Sequence, residues 1–305
     1  MLRSANEPQL YRITPESVEP LNRRFYQMNF ILPEQLSIKP GQFVTLKSEN
    51  VPVLLPRPFC VHHWEPQTRR LSLLIEARGT ATAIFCEPDI DRHPFQLLIP
   101  LGQGFKLRPA QHHFLVGGGC GVAPLYFLAD ELMRSGGGAD SGCSDCGRSG
   151  NSGSGSSGSG SSGSGSSGSG NCQVSLAAGF RESADALAPE FLAPQGTAIN
   201  VACNPVTAVD LFREQLAAAL ALFDRGGAAA TANEVQVYGC GPHAMLKSLA
   251  ALCREKGLPL QVSLERMMGC GMGACQGCSC GTKKGPVLLC SEGPVLDATV
   301  VNWDE

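Results

Sequence analysis

"HHFLVGGGCGVAPLYFLADELM" (residues 112–133) opens as an apolar run, passes through glycines and continues with helical periodicity. That order predicts a buried strand, a tight turn and a helix. The same alternation returns further along the chain. "QVSLAAGF" and "AINVAC" read as strands, "TAVDLFREQLAAALALF" as a helix, "VQVYG" as a strand and "GPHAMLKSLAALCREKG" as a helix. Strands alternating with helices predict a doubly wound parallel sheet over residues 109–262.

Upstream, the pattern changes. Within residues 1–108, "FYQMNFIL", "GQFVTLKS", "RPFCVHHWE", "RLSLLIEAR" and "FQLLIPLG" are short apolar and β-branched runs divided by turns. They predict an antiparallel β-barrel or sandwich. Between the halves of the parallel sheet, residues 149–170 are a Gly/Ser repeat inside an insertion over about 135–171. Such a composition cannot bury a core and reads as a flexible tether. Cys143 and Cys146 in "GCSDCGRSG", with Cys172 beyond the repeat, lack the paired ligands of a zinc finger and read as tether thiols.

The chain has 305 residues, 24 Lys and Arg against 27 Asp and Glu, and a formal net charge of -3 with no basic stripe. Neither nucleic acid nor an anionic membrane is an expected partner. Residues 1–20 lack the apolar core of a signal peptide, and no uncharged apolar run approaches the ~20 residues of a membrane helix. A cytoplasmic protein is expected. In a reducing compartment fourteen cysteines point to metal ligation or redox chemistry rather than disulfides. Cys60, Cys86, Cys203 and Cys253 stand alone and read as small buried hydrophobes.

"MMGCGMGACQGCSC" (267–280) concentrates the metal signal in a small C-terminal domain, residues 263–305. Cys270, Cys275 and Cys278 follow C-x4-C-x2-C, and Cys290 comes after eleven further residues, a plant-type [2Fe-2S] pattern with a shortened final gap. Cys290 is the expected fourth ligand and Cys280 its rival. Glycines 269, 271, 273 and 277 allow positive φ and let backbone N–H groups reach sulfur. Structural zinc is the competing reading, but it usually brings a second C-x-x-C pair.

Two glycine-rich turns suit a nucleotide. Gly119, Gly121 and Pro124 lie between a strand and a helix, where bare backbone and a positive helix end meet a pyrophosphate. Gly241 and Pro242 start another helix, beside Cys240 at a strand's carboxyl end, and the bland reading of Cys240 is a packed thiol. In the antiparallel half, Arg57 in "RPFC" with Gly79 and Thr80 in "RGT" would bracket a diphosphate.

In this order, "GQFV", "RPFC", "RGT", "PLGQGF", "LVGGGCGVAPL", "GFRESADAL", "YGCGPHAMLK" and "GCGMGACQGCSC...LCSEGPV" resemble the ferredoxin-NADP reductase superfamily. Within it they are most similar to electron-transfer subunits of class 1B dihydroorotate dehydrogenases. The resemblance implies FAD on Arg57, Pro58, Phe59 and Cys60, on Leu74, Ile75 and Glu76, and on Gly79 and Thr80. It places Cys240 near the nicotinamide of an exchangeable NAD. It also implies a partner, an FMN-containing dihydroorotate dehydrogenase catalytic subunit, in a heterotetramer of two copies of each chain. Electrons would pass from that FMN through the [2Fe-2S] cluster and FAD to NAD+. Two departures stand out: Cys60 replaces the family's Ser or Thr, and "ACNPVTAVDLF" replaces its acidic, glycine-bearing stretch, leaving NAD versus NADP open. The alternatives are an NAD(P)H:acceptor reductase subunit of a hydrogenase, sulfide dehydrogenase or ferredoxin system, and a zinc-stabilised nucleotide-binding module without redox chemistry.

Replacing residues 149–170 with a short Gly/Ser turn is expected to leave FAD content and thermal stability nearly unchanged. A large loss of bound FAD would mean that the repeat packs against the protein.

Overall fold

The structure, a computed structural model, describes residues 7–48, 54–136, 172–225 and 234–304. The Gly/Ser repeat and the Cys143–Cys146 pair lie outside the described residues. Strands β1 (Gln9–Ile13), β2 (Ser17–Pro20), β3 (Phe25–Ile31), β4 (Phe43–Ser48), β5 (Arg57–Glu65) and β6 (Arg70–Glu76) precede a short helix α1 (Thr80–Ile84) and β7 (Phe95–Leu101). They form one antiparallel sheet in the order β1-β7-β4-β5-β6-β3-β2. β1 and β2 sit at opposite edges although only residues 14–16 separate them. A flat sheet of this width would hold its edges roughly 29 Å apart. A linker of that length reaches about 14 Å at most, so the sheet has to curl. Its interior holds Met28, Phe30, Trp64, Phe85 and Phe95, all buried, with Phe85 edge-on to Phe95 at 5.1 Å.

Strand β5 changes partner along its length. Its first part, Arg57 to Cys60, pairs with β4, and its second, from Val61, pairs with β6 across a bulge. The Leu74–Glu76 end of β6 is therefore hydrogen-bonded to β3 alone. A slot opens beside it.

The second sheet is built from β8 (His112–Gly118), β9 (Gln173–Phe180), β10 (Ala198–Cys203), β11 (Val235–Cys240), β12 (Leu260–Ser263) and β15 (Val295–Asp297), in the order β10-β9-β8-β11-β12-β15. Its helices are α2 (Ala123–Gly136), α3 (Ala208–Arg225) and α4 (His243–Glu255). Successive residues of a strand face opposite ways. Phe114, Val116, Val235 and Val237 accordingly pack with Phe212 and Leu216 of α3 and Leu246 and Leu249 of α4. Leu115, Leu176 and Tyr238 pack with Leu125 and Leu128 of α2 on the other face. Each such side chain contributes roughly 1.5–3 kcal/mol of burial energy. The pairings β10–β9, β9–β8, β8–β11 and β11–β12 are parallel.

The sixth strand comes from the C-terminal segment. β15 runs antiparallel to β12 with Ser263 opposite Val295, and the residues between them carry a small hairpin, β13 (Ser279–Cys280) with β14 (Val287–Leu288). The cysteine-rich segment is thus stitched into the second sheet. Of the four lone cysteines expected in the core, Cys253 is buried, whereas Cys60, Cys86 and Cys203 remain partly exposed. The last three are close to surfaces or cavities that the linear pattern does not reveal.

The two glycine-rich turns touch each other. A Cβ on Gly121 would stand 2.3 Å from the Cys240 carbonyl oxygen, and one on Gly241 would stand 2.9 Å from the Gly118 nitrogen. Gly121→Ala should therefore destabilise the fold by about 3 kcal/mol, the upper part of the overpacking range, measured by denaturant unfolding. Gly119→Ala, whose Cβ would meet nothing within 4 Å at φ +55, should cost only about 1 kcal/mol of backbone strain.

Candidate functional site

Two cavities meet where the sheets face each other. The smaller, about 270 Å3, lies in the slot beside β6 and is walled by Pro58, Phe59, Cys60, Leu74 and Glu76 on one side. Leu264, Glu265, Arg266, Met268 and Pro294, from the C-terminal segment, wall the other. The larger, about 450 Å3, lies over the carboxyl ends of β8, β9, β10 and β11, with Gly118, Gly119, Arg181, Asn204, Thr207, Pro242 and Met245 around it. Glu76, Arg78, Cys120 and Glu265 line both. They form the neck between the cavities.

Of the residues the sequence assigns to FAD, the structure brings Pro58, Phe59, Cys60, Leu74 and Glu76 to the smaller cavity and leaves four outside its lining. Ile75 points the opposite way, fully buried in the core of the curled sheet. Arg57 donates from Nη1 to the Leu55 carbonyl at 2.8 Å. The Gly79 N–H donates to Thr82 Oγ1 at 3.1 Å, as does the Arg78 N–H at 3.0 Å. Thr80 begins α1 just beyond.

Of the residues assigned to the nucleotide, Gly119 and Pro242 line the larger cavity, whereas Gly121, Pro124, Cys240 and Gly241 do not. Gly121 and Gly241 are used to bring the two turns together. Pro124 is buried in the first turn of α2. Cys240 is wholly buried, and burial, followed by Cys60, Glu265 and Cys120, pushes its thiol far up against a smaller opposing pull from Ser263. It stays protonated beneath the cavities. Cys60 is likewise driven to about 12 by burial and then by Glu265.

Charged residues that the sequence reading does not single out complete the larger cavity. Arg24 donates to Glu76 and, at 3.1 Å, to Asp185, while Arg23 reaches Asp185 at 3.0 Å and Glu182 at 2.6 Å. Burial works to raise the Asp185 carboxyl, but hydrogen bonds and charge from Arg23 and Arg24 outweigh it and hold it below its ordinary value. Glu265 is shifted the other way, upward, by burial and then by Glu76, against Arg78 and the Cys120 thiol. Cys120 Sγ lies 3.9 Å from Glu265 Oε1. The only linear signal for these residues was an acid immediately before the cysteine motif and a basic "NRRF" turn before β3.

The cysteine segment sets the Cys270 thiol beside Cys275 and the Cys290 thiol beside Cys278. Cys270 Sγ accepts from the Met272 and Cys275 N–H groups at 3.4 and 3.5 Å, Cys290 Sγ from Gly273 at 3.0 Å, and Cys278 Sγ from Cys290 at 3.4 Å. Positive φ at Gly271 (72), Gly273 (83) and Gln276 (58) turns these donors inward. The Cys275 and Met272 donors lower the Cys270 thiol to about 7. Burial and then Cys278 raise Cys290 to about 11, a cost that metal coordination removes because a ligating thiol is deprotonated outright. Cys280 is packed in the same buried cluster as Cys278, Cys290, Leu289 and Val301, and its thiol donates to the Gly281 carbonyl at 3.8 Å. Among the described residues no three ligating side chains are already close enough to hold an ion. The donor set nevertheless fits iron: soft thiols, N–H groups aimed at sulfur, and a loop bent by positive φ.

Residues 265–302 match the family model of the iron-sulfur cluster binding domain of dihydroorotate dehydrogenase B. The wider resemblance is to that enzyme's electron transfer subunits. The dihydroorotate dehydrogenase B (NAD(+)) electron transfer subunit of Shouchella clausii (strain KSM-K16) is 28% identical over 267 residues, 85% of this chain and 84% of that one. The corresponding subunit of Bacillus cereus (strain 03BB102) is 29% identical over 267 residues, 85% of each chain. Among solved structures, a chain of the NADH-dependent reduced ferredoxin-NADP oxidoreductase superposes with a TM-score of 0.71 at 18% identity, over 96% of this chain and 91% of that one. The ferredoxin reductase of carbazole 1,9a-dioxygenase gives 0.59 at 16%, over 85% and 70%. These structures share the fold, a curled antiparallel sheet beside a parallel one.

The loop of the segment that matches the iron-sulfur domain lies against the curled sheet. A Cβ on Gly271 would be 3.1 Å from Thr45 Cγ2 and 3.3 Å from Leu101 Cδ1. Cys290→Ser should abolish or strongly alter the cluster's visible absorbance and reduced-state EPR signal while FAD is retained, and Cys280→Ser should leave both intact. The opposite pair of results would move the fourth ligand to Cys280.

Proposed function

We propose that the chain carries electrons between the FMN of a dihydroorotate-oxidising partner subunit and NAD+, through a [2Fe-2S] cluster and FAD, in pyrimidine biosynthesis. The observation that supports this most is the neck of Glu76, Arg78, Cys120 and Glu265. It joins a nucleotide-sized cavity over the parallel sheet to a slot whose far wall is the iron-sulfur segment itself. The three sites stand in series.

Cys270, Cys275, Cys278 and Cys290 would hold the cluster. Pro58, Phe59, Cys60, Leu74 and Glu76 would hold the flavin ring, with Arg57, Gly79 and Thr80 toward its diphosphate. Gly119, Arg181 and Pro242 would meet the nucleotide. FAD supplies the exchange between a two-electron nicotinamide and a one-electron cluster. The chain's own residues do the rest. Phe59 and Leu74 give the ring an apolar bed, Arg24 keeps Glu76 in place, and protonated Cys240 packs beneath without adding charge. No base for dihydroorotate is needed in this chain. The division of labour also assigns residues 1–108 to FAD, 109–262 to NAD and 263–305 to the cluster, in a barrel, a doubly wound domain and a small third domain. Among the described residues no helix is long and apolar enough to cross a membrane. A cytoplasmic heterotetramer, two copies of each subunit, follows from the same reading.

The match of residues 265–302 to an iron-sulfur domain favours a cluster over structural zinc. A visible spectrum with iron and acid-labile sulfide assays tests this directly: flavin and cluster absorbance are expected, and a colourless zinc protein would refute it. In Cys290→Ser, anaerobic NADH should still reduce the FAD, whereas transfer between NADH and the partner's FMN should collapse.

A further inference from the structure

The neck between the cavities carries more charge information than binding alone requires. Two of its four residues are carboxylates, and they are not equivalent. Glu76 is ion-paired with Arg24. Glu265, among the described residues, forms no ion pair; its contacts are the Cys120 thiol at 3.9 Å and the longer-range pull of Arg78. Its carboxylate opens into both cavities, at the place where a nicotinamide in the larger would meet a flavin ring in the smaller. Elsewhere around the larger cavity stands a cation, Arg181, on the residue following β9. The neck therefore carries one carboxylate without an ion-pair partner, near the Arg78 guanidinium, and the cavity has a further cation for a phosphate away from it.

We infer that Glu265 selects the redox state of the nucleotide, stabilising the cationic nicotinamide of NAD+ over the neutral ring of NADH. This rests on the nucleotide-site reading given above. NAD+ and NADH share their adenosine and pyrophosphate and differ in ring charge, so only a charge placed at the ring end discriminates between them. An unpaired carboxylate in an enclosed neck is such a charge, and its attraction is stronger there than in bulk water. The consequence is directional: the site holds the electron acceptor more tightly and releases the reduced product more readily. Glu76, neutralised by Arg24, contributes less.

The test uses the whole chain with its FAD and cluster in place. Oxidised protein is titrated anaerobically with NAD+ and, separately, with 1,4,5,6-tetrahydroNAD, which has an uncharged ring and no transferable hydride. Binding is followed by the perturbation of the flavin spectrum. In Glu265→Gln the NAD+ affinity should weaken by about threefold to thirtyfold, the span for one partly screened charge pair, with the analogue's affinity unchanged. Glu265→Asp should keep the preference. Arg78→Gln removes a cation that both offsets the Glu265 charge and favours its ionised form, so it is titrated beside the wild type at alkaline pH, where Glu265 is ionised in both; there it should move the ratio of affinities in the opposite direction, and this comparison also decides the matter if Glu265→Gln loses its flavin. Equal weakening of both ligands would reduce Glu265 to a shaping residue and overturn the inference, as would an unchanged ratio in Glu265→Gln or, where that variant is lost, in Arg78→Gln. If wild-type, flavin-loaded protein binds neither ligand, the nucleotide-site reading falls first, and this inference with it.

Discussion

The backbone of one glycine-rich turn rests directly on the other, and the site is organised around that contact. The Gly121 Cα faces the Cys240 carbonyl so closely that no side chain fits between them. The start of α2 is thereby fixed against the turn leading into α4. Because β8 and β11 are neighbouring parallel strands, their carboxyl ends then form one floor rather than two separate loops. Gly119 and Pro242 emerge side by side from that floor into the larger cavity, and the neck residue Cys120 lies between Gly119 and Gly121. A wider separation would uncouple the cavity over the parallel sheet from the slot beside β6.

A second constraint ties the two sheets together through charge. Asp185 is almost fully buried, with its side chain 4% exposed, and both Arg23 and Arg24, from the turn between β2 and β3, are bonded to it. A carboxylate with so little exposure is costly to leave without its partners. Asn22 adds a hydrogen bond to the Asp185 carbonyl at 3.1 Å. The curled sheet is thus held to the parallel sheet by a polar clasp at one rim of the larger cavity, while Arg24 also orients Glu76 in the neck.

Much of this is visible in the linear chain, and the remainder has a common cause. Local periodicity is enough for "HHFLVGGGCGVAPLYFLADELM" to become β8, a turn and α2, and the C-x4-C-x2-C spacing marks the segment that matches an iron-sulfur domain. What periodicity does not contain is direction at a turn. Gly119 and Gly121 are identical in sequence terms, yet the first opens to the cavity and the second meets backbone. Strand alternation separates Leu74 and Glu76 from Ile75, but only once the faces of β6 are known. Arg24 and Asp185 lie 161 positions apart, and no local pattern signals that pairing. Glu265 is ordinary until the fold carries Glu76, Arg78 and Cys120 to it.

The pairing of Ser263 with Val295 gives the cysteine loop a fixed base. The ends of residues 264–294 are brought together by a rung of β-sheet, so the entropy of closing that loop is met by strand pairing and not by iron. During synthesis the order is reversed: the outer edge of β12 stays bare until β15 has emerged, about thirty residues later, and a bare edge is a template for unwanted pairing. The nascent protein therefore presents its cysteines before its second sheet is closed. Maturation of the metal segment and sealing of the sheet edge are thereby joined in one event, and a chain cut before β15 would be left with both undone.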